Sequence, residues 1–291
     1  MTSAAPVVNH KAVRGRSTSL VVVLLLAPSV ALYTVFFVWP QIALLILGFK
    51  DKGGAFTLDL YLKFLSDPYY LRLLWRTLLM GFATTLITVL FGVPLAYLLA
   101  RMRSRWAVFL LILTTFPLLV SAVVRSFGWM VLLYRNGFVS DLLQWLYITD
   151  GPTQLMYTLP GTIIALAQVL LPIMVLSLYA VFRSIPADLE LAAMSLGASP
   201  AVALWLVTLK LAKGGLYSGS LLVFSMAISS FATPSLVGGP RAAVMATSIY
   251  DLTMTVLDWN FAAVQATILF VTVLTLAVIY GRLLNRQGGV Q

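Results

Sequence analysis

A metal site or a nucleophile–base pair needs histidine, cysteine or clustered acids, and this 291-residue chain offers almost none. It has no cysteine, which excludes disulfides and thiolate metal sites. Its single histidine, His10, lies in a polar N-terminal stretch, so a histidine-ligated metal or a Ser-His-Asp triad inside the fold is excluded. No Gly-Lys dipeptide occurs, so the chain carries no P-loop and cannot hydrolyse ATP through that motif. No catalytic residue, metal or cofactor is expected.

What remains are polar groups in apolar surroundings. Arg125 interrupts an apolar stretch, where a charge costs at least about 2.5–3.5 kcal/mol at the centre of a bilayer. It either lines a wet cavity or snorkels from the outer end of its helix. Ser225 and Ser229 share one helix face at i, i+4, with Ser230 and Thr233 following. They serve helix–helix hydrogen bonding or the wet face of a solute path. Asp251 and Asp258 meet a solute or a docking protein, or are simply solvated. Gly215 and Gly219 form a small-residue pair suited to close helix packing.

These residues need membrane helices to position them. The chain is 61% hydrophobic and 10% charged, with a mean hydropathy of +0.99, against about 25% charged residues in soluble domains. That excludes an ordinary soluble enzyme and a disordered chain. The fold class is all-α: a polytopic membrane protein with six transmembrane helices. The spans read as Leu20–Phe49 (interrupted by Pro28 and Pro40), Thr77–Ala100, Ala107–Leu133, Leu159–Phe182, Gly214–Val237 and Phe261–Leu284. The first is too long for a signal core and is read as a retained anchor. One membrane domain, 17–284, lies between tails at 1–16 and 285–291.

The net charge of +10 is a topology signal. With the N-terminus inside, the inner segments hold eleven lysines and arginines against Asp188 and Glu190, while the outer segments balance at seven each. The positive-inside rule then puts both termini in the cytoplasm, and nucleic acid is not needed to explain the basic excess. The outer loop from Lys50 to Arg76 carries an amphipathic stretch that predicts a short surface helix.

The inner loop, residues 183–213, is the most informative segment. Pro186 opens a helix, Asp188 and Glu190 fall in its first turn where the helix dipole favours acids, and Leu189, Ala192, Ala193 and Leu196 make an apolar stripe. Gly197 suits the helix end, and Ser199-Pro200 starts a second short helix. A small apolar surface of this kind fits a groove on a partner.

This segment resembles the coupling loop, or EAA loop, of ABC importer permeases: Glu-Ala-Ala, three residues, Gly, nine residues, Ile, one residue, Leu-Pro. Ala192, Ala193 and Gly197 match at that spacing, Val207 stands for Ile and Leu209 matches. The Glu of the pattern falls at Leu191, with Glu190 one place earlier, and its Pro falls at Lys210. Five further segments resemble the polyamine (spermidine/putrescine) branch in order: Asp59 to Leu65, Gly92 to Arg101, Val123 to Trp129, Phe231 to Gly239 and Asp258 to Ala263.

The resemblance implies the membrane domain of a type I ABC importer, residing in the bacterial inner membrane and forming half of a translocation path. Its partners would be an ATP-binding cassette ATPase dimer, a second permease subunit (a sibling chain), an extracytoplasmic solute-binding protein and the lipid bilayer. It implies ATPase coupling through Glu190, Ala192, Ala193 and Gly197, with the acid engaging a basic residue of the ATPase. Arg125, Trp129, Ser225, Ser229 and Asp251 are the candidates for the path. The resemblance favours a polyamine, whereas the one buried charge, Arg125, suits an anion. The competing reading is an ion-coupled secondary transporter, but such proteins place acids within their spans, and no Asp or Glu falls within a predicted span.

Overall fold

A computed structural model of the chain describes residues 17–51, 53–102 and 104–287. His10, Lys11, Arg14, Arg16, Lys52 and Arg103 lie outside the described residues. Among those described, four helices are long and apolar enough to cross a bilayer, and two bent helix pairs raise the number to six if each pair is one span.

The first span begins with α1 (Ser17–Tyr33), passes through a π turn (Thr34–Val38) and ends in α2 (Trp39–Gly48). Pro40 lacks the N–H that would reach back to Phe36, and the helix widens just before it, with Trp39 N–H reaching Thr34 O. The span thus stays continuous through Pro28 and Pro40, and its apolar window is unburied by the rest of the chain. It touches the body at its outer end, where Gly48 lets α2 approach the Val264 backbone.

The surface helix expected in the outer loop is α3 (Asp59–Ser66), with Phe64 turned inward. Asp67 then caps α4 (Pro68–Arg101), accepting from Tyr69 N–H at 2.8 Å, with Pro68 at the first helical position. This start lies nine residues before the predicted Thr77, because the Asp-Pro signal precedes the apolar run. At 1.5 Å per residue α4 is about 50 Å long, well beyond the ~30 Å hydrocarbon layer.

The third expected span is not one helix. It divides into α5 (Arg105–Thr115), a 3₁₀ turn (Phe116–Leu119) and α6 (Ala122–Leu133), with 99° between the two helices. Pro117 cannot donate to Leu113 O, and Val120 is extended, so the α-ladder ends there. A short outer helix, α7 (Phe138–Trp145), leads to α8 (Leu159–Ser184), capped by Thr158 and unbroken at Pro172.

The inner loop folds as α9 (Asp188–Ser195), then α10 (Pro200–Ala203), a π turn (Leu204–Thr208) and α11 (Leu209–Leu211). It turns by 73° into α12 (Lys213–Ser229). The fifth span therefore ends eight residues before the predicted Val237. Pro234 cannot donate to Ser230 O, and the chain extends at Ser230 before a π turn at Pro234–Gly238. A helix that the sequence did not announce follows, α13 (Met245–Met254), so Asp251 sits on a helix rather than in a loop. Finally α14 (Trp259–Gln287) runs three residues into the expected C-terminal tail.

The helices α4, α8 and α12 form the central bundle, and α14 packs on α2 and α13 beside it. The inner half of the bundle buries Leu99, Met174, Leu178, Phe182 and Val223. A second cluster, where α3, α4, α13 and α14 meet, buries Phe64, Leu73, Met245, Phe261 and Val264. Close approach depends on glycine. A Cβ on Gly215 would stand 2.5 Å from Val181 Cγ2, and one on Gly219 would stand 3.1 Å from Met174 Sδ. The pair is therefore a packing device. By contrast, a Cβ on Gly214 meets nothing within 4 Å. Gly215→Ala is expected to lower stability by about 1–3 kcal/mol, because β-branched Val181 cannot yield. Gly214→Ala is expected to leave it unchanged or raised. Thermal unfolding of the two detergent-purified variants checks this, and equal melting points would contradict it.

Candidate functional site

The elbow between α8 and α12 has two faces. The outer one belongs to α9: Leu189, Leu191, Met194 and Leu196 all lie exposed, Leu196 at 90%. Ala192 is exposed beside them and Ala193 is half-buried. The helix closes in a Schellman arrangement, with Gly197 N–H donating to Met194 O at 3.0 Å and Ala198 N–H to Ala193 O at 3.1 Å. Gly197 has φ +94°, a conformation open to glycine, and nothing stands within 4 Å of where its side chain would be. Ser199 then caps α10, accepting from Val202 N–H. These features leave an uncovered apolar surface with a sharp glycine corner.

The inner face belongs to Glu190, and here the structure departs from the expected ATPase contact. Glu190 is buried. One carboxylate oxygen accepts from the Tyr97 hydroxyl at 2.8 Å. The other accepts from Arg101 Nε at 3.2 Å, from Arg101 Nη2 and from the Thr208 hydroxyl. Arg101 also donates through Nη1 to Ile185 O at 2.9 Å. All of these partners lie in this chain, so the carboxylate is committed inward. Leu191, at the place of the family's Glu, is the residue that faces out.

Burial alone would raise the Glu190 pKa, but hydrogen bonds from Thr208, Arg101 and Tyr97 outweigh it and hold the carboxyl below its ordinary 4.5. A depressed carboxylate contributes stability that is complete above its unfolded pKa and lost as pH falls through the folded value.

The five candidates for the path do not converge. Arg125 folds back over the bend between α5 and α6, donating through Nη1 to Pro117 O and to Val120 O at 3.5 Å. It adds a donor to Pro117 O, which also accepts from Val120 N–H at 3.3 Å, while its own Nε stays buried without a partner among the described residues, so the group is turned toward the bend of its own span. Trp129 donates from Nε1 to Gln168 Oε1 at 3.2 Å, tying α6 to α8. Ser225 is half-buried and Ser229 exposed on α12, and the Ser229 hydroxyl is spent on Ser225 O at 2.8 Å. Asp251 is exposed on α13, remote in sequence from the rest. Among the described residues no hydrogen bond or ion pair joins these groups across α6, α12 and α13.

Sequence reasoning missed Tyr97, Arg101 and Thr208 as site residues. Arg101 enters the sequence reading as a topology charge and as the end of the Gly92 to Arg101 segment, and neither neutral residue carries a local signal of its role. Gln168 and Gln265, amides in apolar runs, were legible and passed over. A cleft of about 530 Å³ lies between α4, α12 and α14 and is lined by Phe82, Leu86, Phe224, Leu276, Ile279 and Tyr280. That lining suits hydrocarbon and does not suit a polar solute.

The Glu190 cluster yields a pH prediction. The gap in melting temperature between wild type and Glu190→Gln should be constant from about pH 8 to about pH 5 and close only below about 4.5. A gap that closes between about pH 8 and about pH 6 would show that Glu190 is not held as a depressed carboxylate.

No protein-family model matches the chain. The spermidine/putrescine transport system permease protein PotB of Escherichia coli (strain K12) is 31% identical over 236 residues, covering 80% of this chain and 86% of that protein. The molybdenum transport system permease protein ModB of Mycobacterium tuberculosis (strain ATCC 25618 / H37Rv) is 34% identical over 197 residues, covering 68% of this chain and 73% of that protein. Among solved structures, a chain of a bacterial ABC transporter involved in import of the acidic polysaccharide alginate superposes with a TM-score of 0.78 at 17% identity. The match covers 93% of this chain and 96% of that one. A chain of the inward-facing MetNI methionine ABC transporter superposes with a TM-score of 0.53 at 16% identity, covering 74% and 93%. The helical fold is thus that of an importer's membrane domain, and by its likeness to these permeases the chain belongs to the family of ABC importer permease subunits.

Proposed function

We propose that this subunit forms half of the membrane path of a binding-protein-dependent importer of polyamines, and that α9 is its docking element for an ATPase on another chain. The second half of the path is a sibling permease. Both termini lie in the cytoplasm of a bacterial inner-membrane complex, with a solute-binding protein docking on the opposite side. The single observation that carries this reading is the set of uncovered apolar residues around α9, ending at Gly197 on the elbow between two membrane helices. ATP closes the ATPase dimer, the elbow moves with it, and α8 and α12 tilt because they continue into the elbow. The cavity then opens toward the loaded binding protein, and hydrolysis resets it. This is a two-state change biased by nucleotide.

The solute is read from two supports. The relatives named for spermidine and putrescine match four-fifths of the chain. The objection from Arg125 also weakens in part, since one of its guanidinium nitrogens is engaged by Pro117 O, although its buried Nε has no partner among the described residues.

Ala192→Asp places a charge on the exposed face without backbone strain, and Gly197→Asp does so at the corner. Each is expected to cut ATP-driven uptake about tenfold or more, a docking loss of at least about 1.4 kcal/mol. Gly197→Asn, which tolerates positive φ, should retain far more. Uptake is measured in vesicles holding equal amounts of folded permease. Unchanged uptake in Ala192→Asp would remove α9 from the docking role. For the solute, a thermal-shift screen of the cognate binding protein should rank spermidine or putrescine above molybdate, and the reverse order would overturn the polyamine reading.

A further inference from the structure

The elbow is joined by the chain itself to α8 on one side and α12 on the other. The helix α4 has no such link, since Arg101 and Glu190 are 89 residues apart. It is nevertheless the helix that Glu190 grips. Tyr97 and Arg101 lie one turn apart on a single face of α4 and hold the two carboxylate oxygens separately. Two attachment points a turn apart resist rotation of α9 about α4 as well as separation from it. Thr208 brings the second limb of the elbow to the same carboxylate, and Arg101 Nη1 reaches the α8 end through Ile185 O. Arg183 answers by donating to Ala100 O at 3.4 Å. The ends of α4 and α8 and both limbs of the elbow therefore meet at one partly buried ion pair.

The far end of α4 is also engaged. The Thr77 hydroxyl accepts from Met245 N–H at 2.9 Å, at the start of α13. Arg76 Nη1 donates to Arg241 O at 3.3 Å. One continuous helix thus runs from the elbow to the outer segment 241–245, with polar contacts at both ends.

We propose that the Glu190–Arg101 pair is a latch that makes α4 a driven element: motion of α9 passes through the latch to α4, and along α4 to the start of α13. The proposal rests on the docking role of α9. In this role Glu190 and Arg101 are positioning residues, acting through helices and touching neither solute nor nucleotide. The helix responds as a rod because it runs as one α-helix from Pro68 to Arg101, losing only the bond that Pro94 cannot donate to Leu90 O, in contrast to the broken third and fifth spans.

The test uses the complete transporter in proteoliposomes, with its ATPase and binding protein. The wild-type chain has no cysteine, so with the cysteines of the other subunits replaced, labels at Leu98→Cys on α4 and Ser195→Cys on α9 report without background. Their separation, measured by pulsed electron resonance, should stay constant between the nucleotide-free and ATP-bound states of the wild type. In Glu190→Gln it should become nucleotide-dependent. Solute moved per ATP hydrolysed should fall about tenfold in Glu190→Gln and in Arg101→Gln. The double variant should be no worse than either single one, as expected of residues acting as a unit. Glu190→Asp should restore part of the ratio. Where Glu190→Gln assembles poorly, Tyr97→Phe with Thr208→Val removes two donors and keeps the ion pair, and it should lower the ratio in the same direction. A label separation that changes with ATP in the wild type, or full solute per ATP in the assembled latch variants, overturns the latch. If the latch variants transport normally while Ala192→Asp does not, the docking reading stands and the latch alone falls. If Ala192→Asp also transports normally, the docking reading falls first.

Discussion

A backbone N–H or C=O that loses its helical partner inside a bilayer has no water to turn to, and leaving it unpaired costs several kcal/mol. This chain breaks its helices repeatedly, and particular groups cover the breaks. Arg125 covers Pro117 O at the bend of the third span. Leu133 O, at the end of α6, accepts from Leu155 and Met156 N–H, and Val237 O accepts from Tyr157 N–H. The start of α13 is covered by Thr247, which accepts from Val244 N–H, and by Thr77, which accepts from Met245 N–H. The bundle is thus three packed helices with irregular segments stitched onto them. The polar residues in the apolar stretches are largely the stitches.

The same constraint changes the meaning of several residues. A lone arginine in a membrane span reads as a solute contact, and here it is a carbonyl partner. A tryptophan beside it reads as a path lining, and here its N–H is occupied by Gln168. An acid in a coupling loop reads as a hook for the neighbouring subunit, and here it is held inward by Tyr97, Arg101 and Thr208. Breaking such a buried pair by removing one member is costly, on the order of 3–5 kcal/mol, because the other charge is left without compensation. The loop therefore keeps its shape from within and meets its partner with apolar surface.

Much of this was legible in the sequence, and the limits have physical causes. Hydropathy located the spans, because about 20 apolar residues are needed to cross hydrocarbon. The elbow with its two short helices and its glycine corner was legible because Gly197, Ser199 and Pro200 act locally. The break at Pro117 was missed because prolines at 28, 94 and 172 sit in unbroken helices, so proline alone does not decide. The helix α13 was missed because its N-terminus is completed in part by Thr77, 168 residues away, with Thr247 as the local partner. The Glu190 cluster was missed for the same reason: its members come from three elements that only the folded bundle brings together. The inward direction of Glu190 was not legible from the pattern, since a one-residue offset on a helix turns a side chain by about 100°.

The central claim is that the exposed face of α9 seats on a nucleotide-driven ATPase subunit. The most direct measurement is site-specific photo-crosslinking from Leu196, the most exposed apolar residue of that face, in native membranes during solute uptake. The account predicts a crosslinked product containing the ATPase subunit, formed in good yield and lost when the ATPase gene is deleted. Adducts with lipid or with this chain alone, while solute still crosses the membrane, would contradict it.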